Sequence, residues 1–363
     1  MRGIDGCLFL KTGWLLLSLL IQAAPGMAAD APGASGVPTE KDVLRSFVEV
    51  GAHPALSQTA ASAARLKDAT QNLCARPNKD TLDNARTAWR QTFLAWRKAE
   101  PFMFDAASKL EARLGRWPAN NVVLDAAVSS SEYRDIRGEA DARGFAAVEY
   151  LLFAPKDAAA ATAGERCAHL KDVTGEIAGI FGGIADDWKT RLGKEFMSAG
   201  DGKPFLVPDD ALGMAVTKMF GVTERMLRDR IGLPGGLFGE PPKPDNLEAW
   251  RGGRADAGLV ATAEGLRLAL NGDGKTGILR LVADRDGLVE KRNPALAAKI
   301  LRQLDKIEKT VSGFGGSERL HADPTKMKGL YRQVQQLQDQ LIEAALVLEL
   351  DVNVLELGAR TRW

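Results

Sequence analysis

The chain has 363 residues, 45% hydrophobic, 26% charged and 6% aromatic, enough apolar mass for a sizeable core. Its 48 Lys and Arg offset 47 Asp and Glu, a formal net charge of +1, and no basic block occurs. That balance excludes a strong field for nucleic acid or for anionic lipid as the basis of function.

At the N-terminus, Arg2 and Lys11 accompany a short apolar run from Trp14 to Ile21, followed by Ala23, Ala24, Gly26, Ala28 and Ala29. The run is shorter than the roughly 20 residues that span a bilayer, so residues 1–29 read as a cleaved signal peptide rather than an uncleaved anchor. Cys7 precedes the run and is not placed for lipidation. The mature chain is then expected to be a soluble periplasmic protein without a transmembrane segment. Cys74 and Cys167 remain. An even count in an exported chain suggests one disulfide, the alternative being two unpaired buried thiols. A bond closing that loop stabilises by about 4 kcal/mol in the chain-entropy account.

Residues 30–38 form a linker without hydrophobic period. Thr39 caps a helix to about Val50, with Asp42 in a capping-box position. His53-Pro54 marks a break, and Pro54 suits the first turn of a helix that runs to Leu73. His53 itself reads as a helix-end residue, not a ligand. Residues 78–99 form the strongest amphipathic helix of the front half, with Leu82, Ala85, Trp89, Phe93 and Trp96 on one stripe. Arg86, Arg90 and Arg97 line a neighbouring face, and Glu100 follows three residues after Arg97. Residues 117–121 read as a turn, 122–136 as a short helix, and Arg137-Gly138 as a break.

In the helix at 143–153, Phe145, Val148, Leu151 and Leu152 form a buried stripe. Glu149 stands beside it, and Ala146, three residues earlier, leaves the helix on the same side. A carboxylate beside an apolar face is costly unless paired. Arg97 is the expected partner, because a guanidinium would keep both groups ionised without a metal.

Residues 155–164 form an Ala-rich connection, and a long helix ending near Lys194 buries Cys167, Leu170, Val173, Ile177, Ile180 and Ile184. Residues 198–204, with two Gly and a Pro, read as a domain boundary. Beyond it, Asp209 caps a helix through Leu227, residues 233–244 form an irregular turn, and helices are expected near 276–290, 293–313 and 324–352. Asn271 to Gly277 imitates two ligand loops. A phosphate loop would need Gly where Ala269 stands, and a calcium loop would need Gly and Glu where Thr276 and Val282 stand. It reads as a helix–helix turn. No strand-like alternation persists, so the fold is expected to be all-α, with two helical bundles at 39–198 and 205–363 packed together.

Only three His occur, none in a His-Glu-x-x-His arrangement, and no Gly-x-Ser-x-Gly elbow is present. His169 lies two residues from Cys167 and so points to another side of its helix. The adjacent pairs Asp186-Asp187 and Asp209-Asp210 diverge on a helix, and the second pair suits a helix N-terminus.

The run at 143–153 resembles the GxHxxE signature of the imelysin-like family, bacterial envelope proteins named after an insulin-cleaving peptidase. Gly144 and Glu149 fall on its Gly and Glu, and Ala146 stands at its His. In the family pattern, His and Glu three apart make a two-ligand metal clip. With Ala146 in place of the imidazole, no metal is assigned here. The Trp89-Arg90 and Trp96-Arg97 repeat leading to Pro101-Phe102 is similar to the family's first domain. The segments Phe220-Gly221, Leu233-Pro234-Gly235 and 247–254 resemble its second. There, Gly252 and Ala255 stand where relatives tend to have serines, and Arg251 and Arg254 remain. Family members also carry cysteines in places matching Cys74 and Cys167. Their acidic tail after a Leu-Gly step is replaced here by Ala-Arg-Thr-Arg-Trp after Leu357-Gly358. The resemblance implies an exported, non-catalytic binding or accessory protein linked to iron acquisition at the envelope. A pocket between the bundles, with Glu149, Arg97, Arg251 and Arg254, would take a small ligand or an envelope partner. The alternatives are a metal-dependent peptidase and a helical interaction module.

Overall fold

In the computed structural model, residues 36–104, 106–129, 140–288, 295–320 and 322–352 are described, and every regular element among them is helical. The expected signal peptide, most of the linker, the end of the helix at 122–136, the break at Arg137-Gly138 and the tail beyond Val352 lie outside the described residues.

Thr39 and Asp42 exchange backbone and side-chain hydrogen bonds in the expected capping box and start α1 (Glu40–Ser46). The break expected at His53-Pro54 is not there. A wide π-helical turn over Phe47–Ala52 carries α1 directly into α2 (His53–Ala75). Pro54 lies at the second position of α2 with helix on both sides, so its missing N–H leaves one ladder bond unmade, and the wide turn before it accommodates that loss. His53 Nε2 lies 3.1 Å from the Trp188 carbonyl, a helix-end contact. After it come α3 (Lys79–Ala99), α4 (Ala106–Leu114), α5 (Asn121–Ser129) and α6 (Gly144–Phe153). The Ala-rich connection holds a short α7 (Ala158–Thr162), capped by Asp157. α8 (Arg166–Asp187) passes through a second π-helical turn into α9 (Gly193–Met197). Cys74 and Cys167 are bonded, with a Cα–Cα distance of 5.6 Å, tying the end of α2 to the start of α8.

α10 (Pro208–Arg225) is capped by Asp210, not Asp209: its carboxylate accepts the Leu206 and Val207 N–H groups. Asp209 is one position too early to reach back to those donors. A third π-helical turn, Met226–Gly232, follows α10. Beyond it lie α11 (Ala255–Asn271), α12 (Ile278–Leu288), α13 (Leu296–Ser312), α14 (Ser317–Leu320) and α15 (Pro324–Val347). Asp273 accepts the Lys275 and Thr276 N–H groups, which closes the turn between α11 and α12 without a ligand.

The stripe Leu82, Ala85, Trp89, Phe93 and Trp96 is fully buried, and α3 packs on α2, on α6 and on α11. The contact between α3 and α11 is close because Gly265 has no side chain: a Cβ there would stand 2.3 Å from the Lys98 carbonyl oxygen. Segment 198–204 is a turn held against α1 by the Lys41–Asp201 pair at 2.7 Å. From Val37 onward the described residues form one compact unit, and helices from both sides of that turn share one hydrophobic core. No helix among the described residues is long and apolar enough to cross a membrane.

Candidate functional site

Gly144 opens α6 at a φ of +74°, and a Cβ on it would stand 2.5 Å from the Arg113 carbonyl oxygen and 2.6 Å from that of Leu114. Only glycine lets α6 begin pressed against the end of α4. Arg143, just before it, pairs with Asp172 and Glu176 of α8. These contacts fix where Glu149 emerges.

Glu149 is 2% exposed. Its Oε1 accepts the Gly252 backbone N–H at 2.8 Å, and its Oε2 accepts the Trp117 indole N–H at 3.1 Å. Burial pushes its carboxyl up to about 7, against the opposing pull of those two donors and of the Arg251 charge. Gly252 lies under Trp89, where a Cβ would stand 2.4 Å from the indole ring, so the position has no room for a serine. Its carbonyl accepts the Arg90 Nε–H at 2.8 Å.

The expected Glu149–Arg97 pair does not form. Arg97, 1% exposed, stacks on Trp96 with its guanidinium carbon 3.6 Å from the ring centroid. Its Nη1 lies 3.4 Å from Glu100 and its Nη2 lies 2.9 Å from Glu248. Glu100, three residues along the same helix, and Glu248, brought in by the 247–254 segment, are nearer carboxylates than Glu149. Arg251 pairs with Asp245 at 3.3 Å and lies over the Tyr150 ring, beside Glu149, whose carboxyl is drawn down by the Arg251 charge and by its backbone N–H. Arg254 is exposed at the start of α11, bonded to the Gly253 carbonyl. Glu149 and Arg251 therefore adjoin, Arg97 belongs to a different cluster, and Arg254 belongs to neither.

That cluster is a network of seven charged side chains, buried or nearly so except for Arg225, whose side chain is 31% exposed. Glu100, 1% exposed, accepts from Arg230 at 2.6 Å and from Arg225 at 2.9 Å through one oxygen, and from Arg97 through the other. Glu111 accepts from Lys218 at 2.7 Å and from Arg225. Glu248 Oε2 faces both Arg97 Nη2 and Arg230 Nε, the latter at 3.1 Å. Neither contact has hydrogen-bond geometry: both lie within ion-pair distance but off angle. Burial alone would raise the Glu100 carboxyl, but Arg230, Arg225 and Arg97 outweigh it and hold the group well below the usual carboxylate range. Burial, with the like charge of Arg230, pushes Arg97 down to about 10.

This network floors a cavity of about 530 Å³, with Trp117, Pro118, Arg228 and Leu233 among its walls. Trp117 serves both places. Its ring lines the cavity and its N–H holds Glu149, so Glu149 stands one side chain behind the pocket. Sequence reasoning missed Arg225, Arg230, Glu248, Glu111 and Lys218. The available signal was Arg230, a charged residue at helical spacing from buried Met226 and Leu227.

The donor set around Glu149 does not fit a cation. Two N–H groups point at its oxygens, and the methyl of Ala146 occupies the position of the motif's imidazole. Among the described residues, no group of three or more His, Cys, Asp or Glu is placed to hold a metal ion.

Comparison with known proteins follows the same outline. The imelysin family model matches residues 52–345. "Iron-regulated protein A" of Synechococcus elongatus is 32% identical over 114 residues, 31% of this chain and 31% of that protein. The chain thus aligns with about a third of the length of that curated relative. An imelysin-like protein from Psychrobacter arcticum superposes with a TM-score of 0.68 at 20% identity, covering 86% of this chain and 96% of that one. A protein from Parabacteroides distasonis, assigned as an iron-regulated protein A precursor, gives a TM-score of 0.70 at 18% identity, covering 86% and 97%. At those identities the two structures establish a shared all-α fold.

Proposed function

This chain belongs to the imelysin family, and we propose that it works as a non-catalytic binding or accessory protein of the cell envelope, linked to iron acquisition. One observation carries the reading. Ala146 takes the place of the motif's His, and both oxygens of Glu149 are engaged by N–H donors of the protein itself. One hydrogen bond on each oxygen leaves each a further lone pair, but a metal-bound carboxylate needs other ligands beside it, and Ala146 removes the motif's second one. Glu149 acts instead as a clasp, joining the segment after α4 to the segment before α11. The clasp braces one wall of a concave, charge-lined cavity, the usual form of a small-molecule site.

The iron link rests on the names of the relatives from Synechococcus elongatus and Parabacteroides distasonis. Export rests on the apolar segment within residues 1–29 and on the Cys74–Cys167 bond, which suits an oxidising compartment.

The test has two arms. Purified chain is incubated with an unfolded polypeptide, with and without divalent cations, and the expected result is no cleavage. Hydrolysis that disappears in Glu149→Ala would overturn the non-catalytic reading. In cells, transcript and protein should rise on iron starvation, and constant levels would remove the iron link.

A further inference from the structure

The cavity beside Trp117 is lined by charges of both signs: Arg97, Arg225 and Arg230 of the network against Glu100, Glu111 and Glu248, with Arg116, Arg228, Glu224 and Asp229 also in its lining. The acceptors are largely committed. Both oxygens of Glu100 and both of Glu111 receive hydrogen bonds from that network. At the rim, Asp229 is bound by Arg228 and Glu224 by Gln338. The unspent groups are donors: Arg97 Nε and Nη2 and Arg230 Nε lack a hydrogen-bond partner, although Arg97 is 1% and Arg230 4% exposed. Buried guanidinium N–H groups left without acceptors are costly, and a carboxylate is their natural complement.

Glu248 stands where such a complement would sit. A single oxygen, Oε2, faces Arg97 Nη2 and Arg230 Nε together, at ion-pair distance but off hydrogen-bond angle. It arrives on the loop segment before α11, not on a helix of the floor. We infer that the cavity is an anion site for a carboxylate ligand, in which Arg97 and Arg230 are the recognition pair and Glu248 is an internal stand-in that the ligand displaces. The inference rests on the binding role proposed above and names the chemistry of what is bound. Two sources present this chemistry, a free polycarboxylate and the carboxylates of a ferric chelate, and a cavity of about 530 Å³ has room for either.

The experiment is isothermal titration of the full chain with citrate, with ferric citrate, and with choline as a cation of comparable bulk. Citrate should bind and choline should not. Ferric citrate binding at least about tenfold tighter than citrate identifies the chelate as the source, and equal or weaker binding identifies the free carboxylate. Arg230→Gln and Arg97→Gln should each weaken citrate by about tenfold or more, whereas Glu248→Gln, which removes the competing charge, should tighten it several-fold. A purely structural role for Glu248 predicts the opposite sign. Should the arginine variants fail to fold, as judged by circular dichroism, wild type against Glu248→Gln decides. No citrate binding at about 10 mM, a weak regime even for small ligands, would overturn the assignment, as would equal binding of choline or weaker citrate binding in Glu248→Gln. These outcomes are separate from failure of the binding role itself, which would show as proteolysis lost in Glu149→Ala.

Discussion

Trp117 donates its indole N–H to Glu149 across 3.1 Å while its ring faces the cavity floored by Arg97 and Glu100. The motif carboxylate and the pocket are thereby coupled through one side chain. Removing the Arg97–Glu149 pair from the picture changes what substitution at Glu149 should do. With no buried arginine left stranded, neutralising Glu149 relieves a desolvated charge.

That relief depends on pH. The Glu149 carboxyl is raised by burial from 4.5 to about 7. Between those values the folded chain keeps a proton that the unfolded chain has released, so stability falls as pH rises through the window. The contribution approaches about 3 kcal/mol by the upper end. Glu149→Gln should flatten that slope, as measured by urea denaturation at pH 5 and pH 8. An unchanged difference between the two pH values would show that the carboxylate is not desolvated.

Glu100 behaves in the opposite sense. Its carboxyl lies below the ordinary 4.5, so its stabilising effect is present above that value and is lost as pH falls. Glu100→Gln leaves Arg97, Arg225 and Arg230 around a neutral amide. It should cost about 3–5 kcal/mol near neutral pH by chemical denaturation, the range for breaking a buried pair on one side.

Steric pressure at Gly252 gives a third expectation. Gly252→Ser should destabilise by about 1–3 kcal/mol, because its Cβ must displace the Trp89 ring. Pairing it with Trp89→Leu should recover part of that loss. A double-mutant cycle in guanidinium measures the coupling, and strict additivity would rule out the clash as the cause.

Reduction of Cys74–Cys167 should lower stability by about 2–5 kcal/mol, the usual cost of losing a native disulfide. Denaturation with and without reductant, and with Cys74→Ser plus Cys167→Ser, checks it.

The helices were legible where burial imposes a period. The stripe from Leu82 to Trp96 is buried as expected, and in the helix expected near 324–352 Leu330, Val334, Leu337 and Leu341 are buried at helical spacing. The turn at Phe47–Ala52 was not, because His-Pro marks a break in local preference, whereas packing carries the chain through it in a wide turn. At the site, periodicity placed Glu149 beside an apolar face but could not name its partners. One of them, Gly252, offers only a backbone N–H, a donor nearly every residue carries. The partners of Arg97 are hidden for a related reason. Spacing tells which face a guanidinium leaves from, but not that a distant loop will deliver Glu248 to it.

The covalent bond between Cys74 and Cys167 encloses α3, Trp117 and Glu149 in one ring, and leaves Arg225, Arg230 and Glu248 outside it. Under tension applied at the two chain ends, only the residues outside the ring would pay out as length. The pocket would part along its own seam, with Arg97 and Glu100 retained in the shielded loop and their counter-ions drawn away on the extending strand.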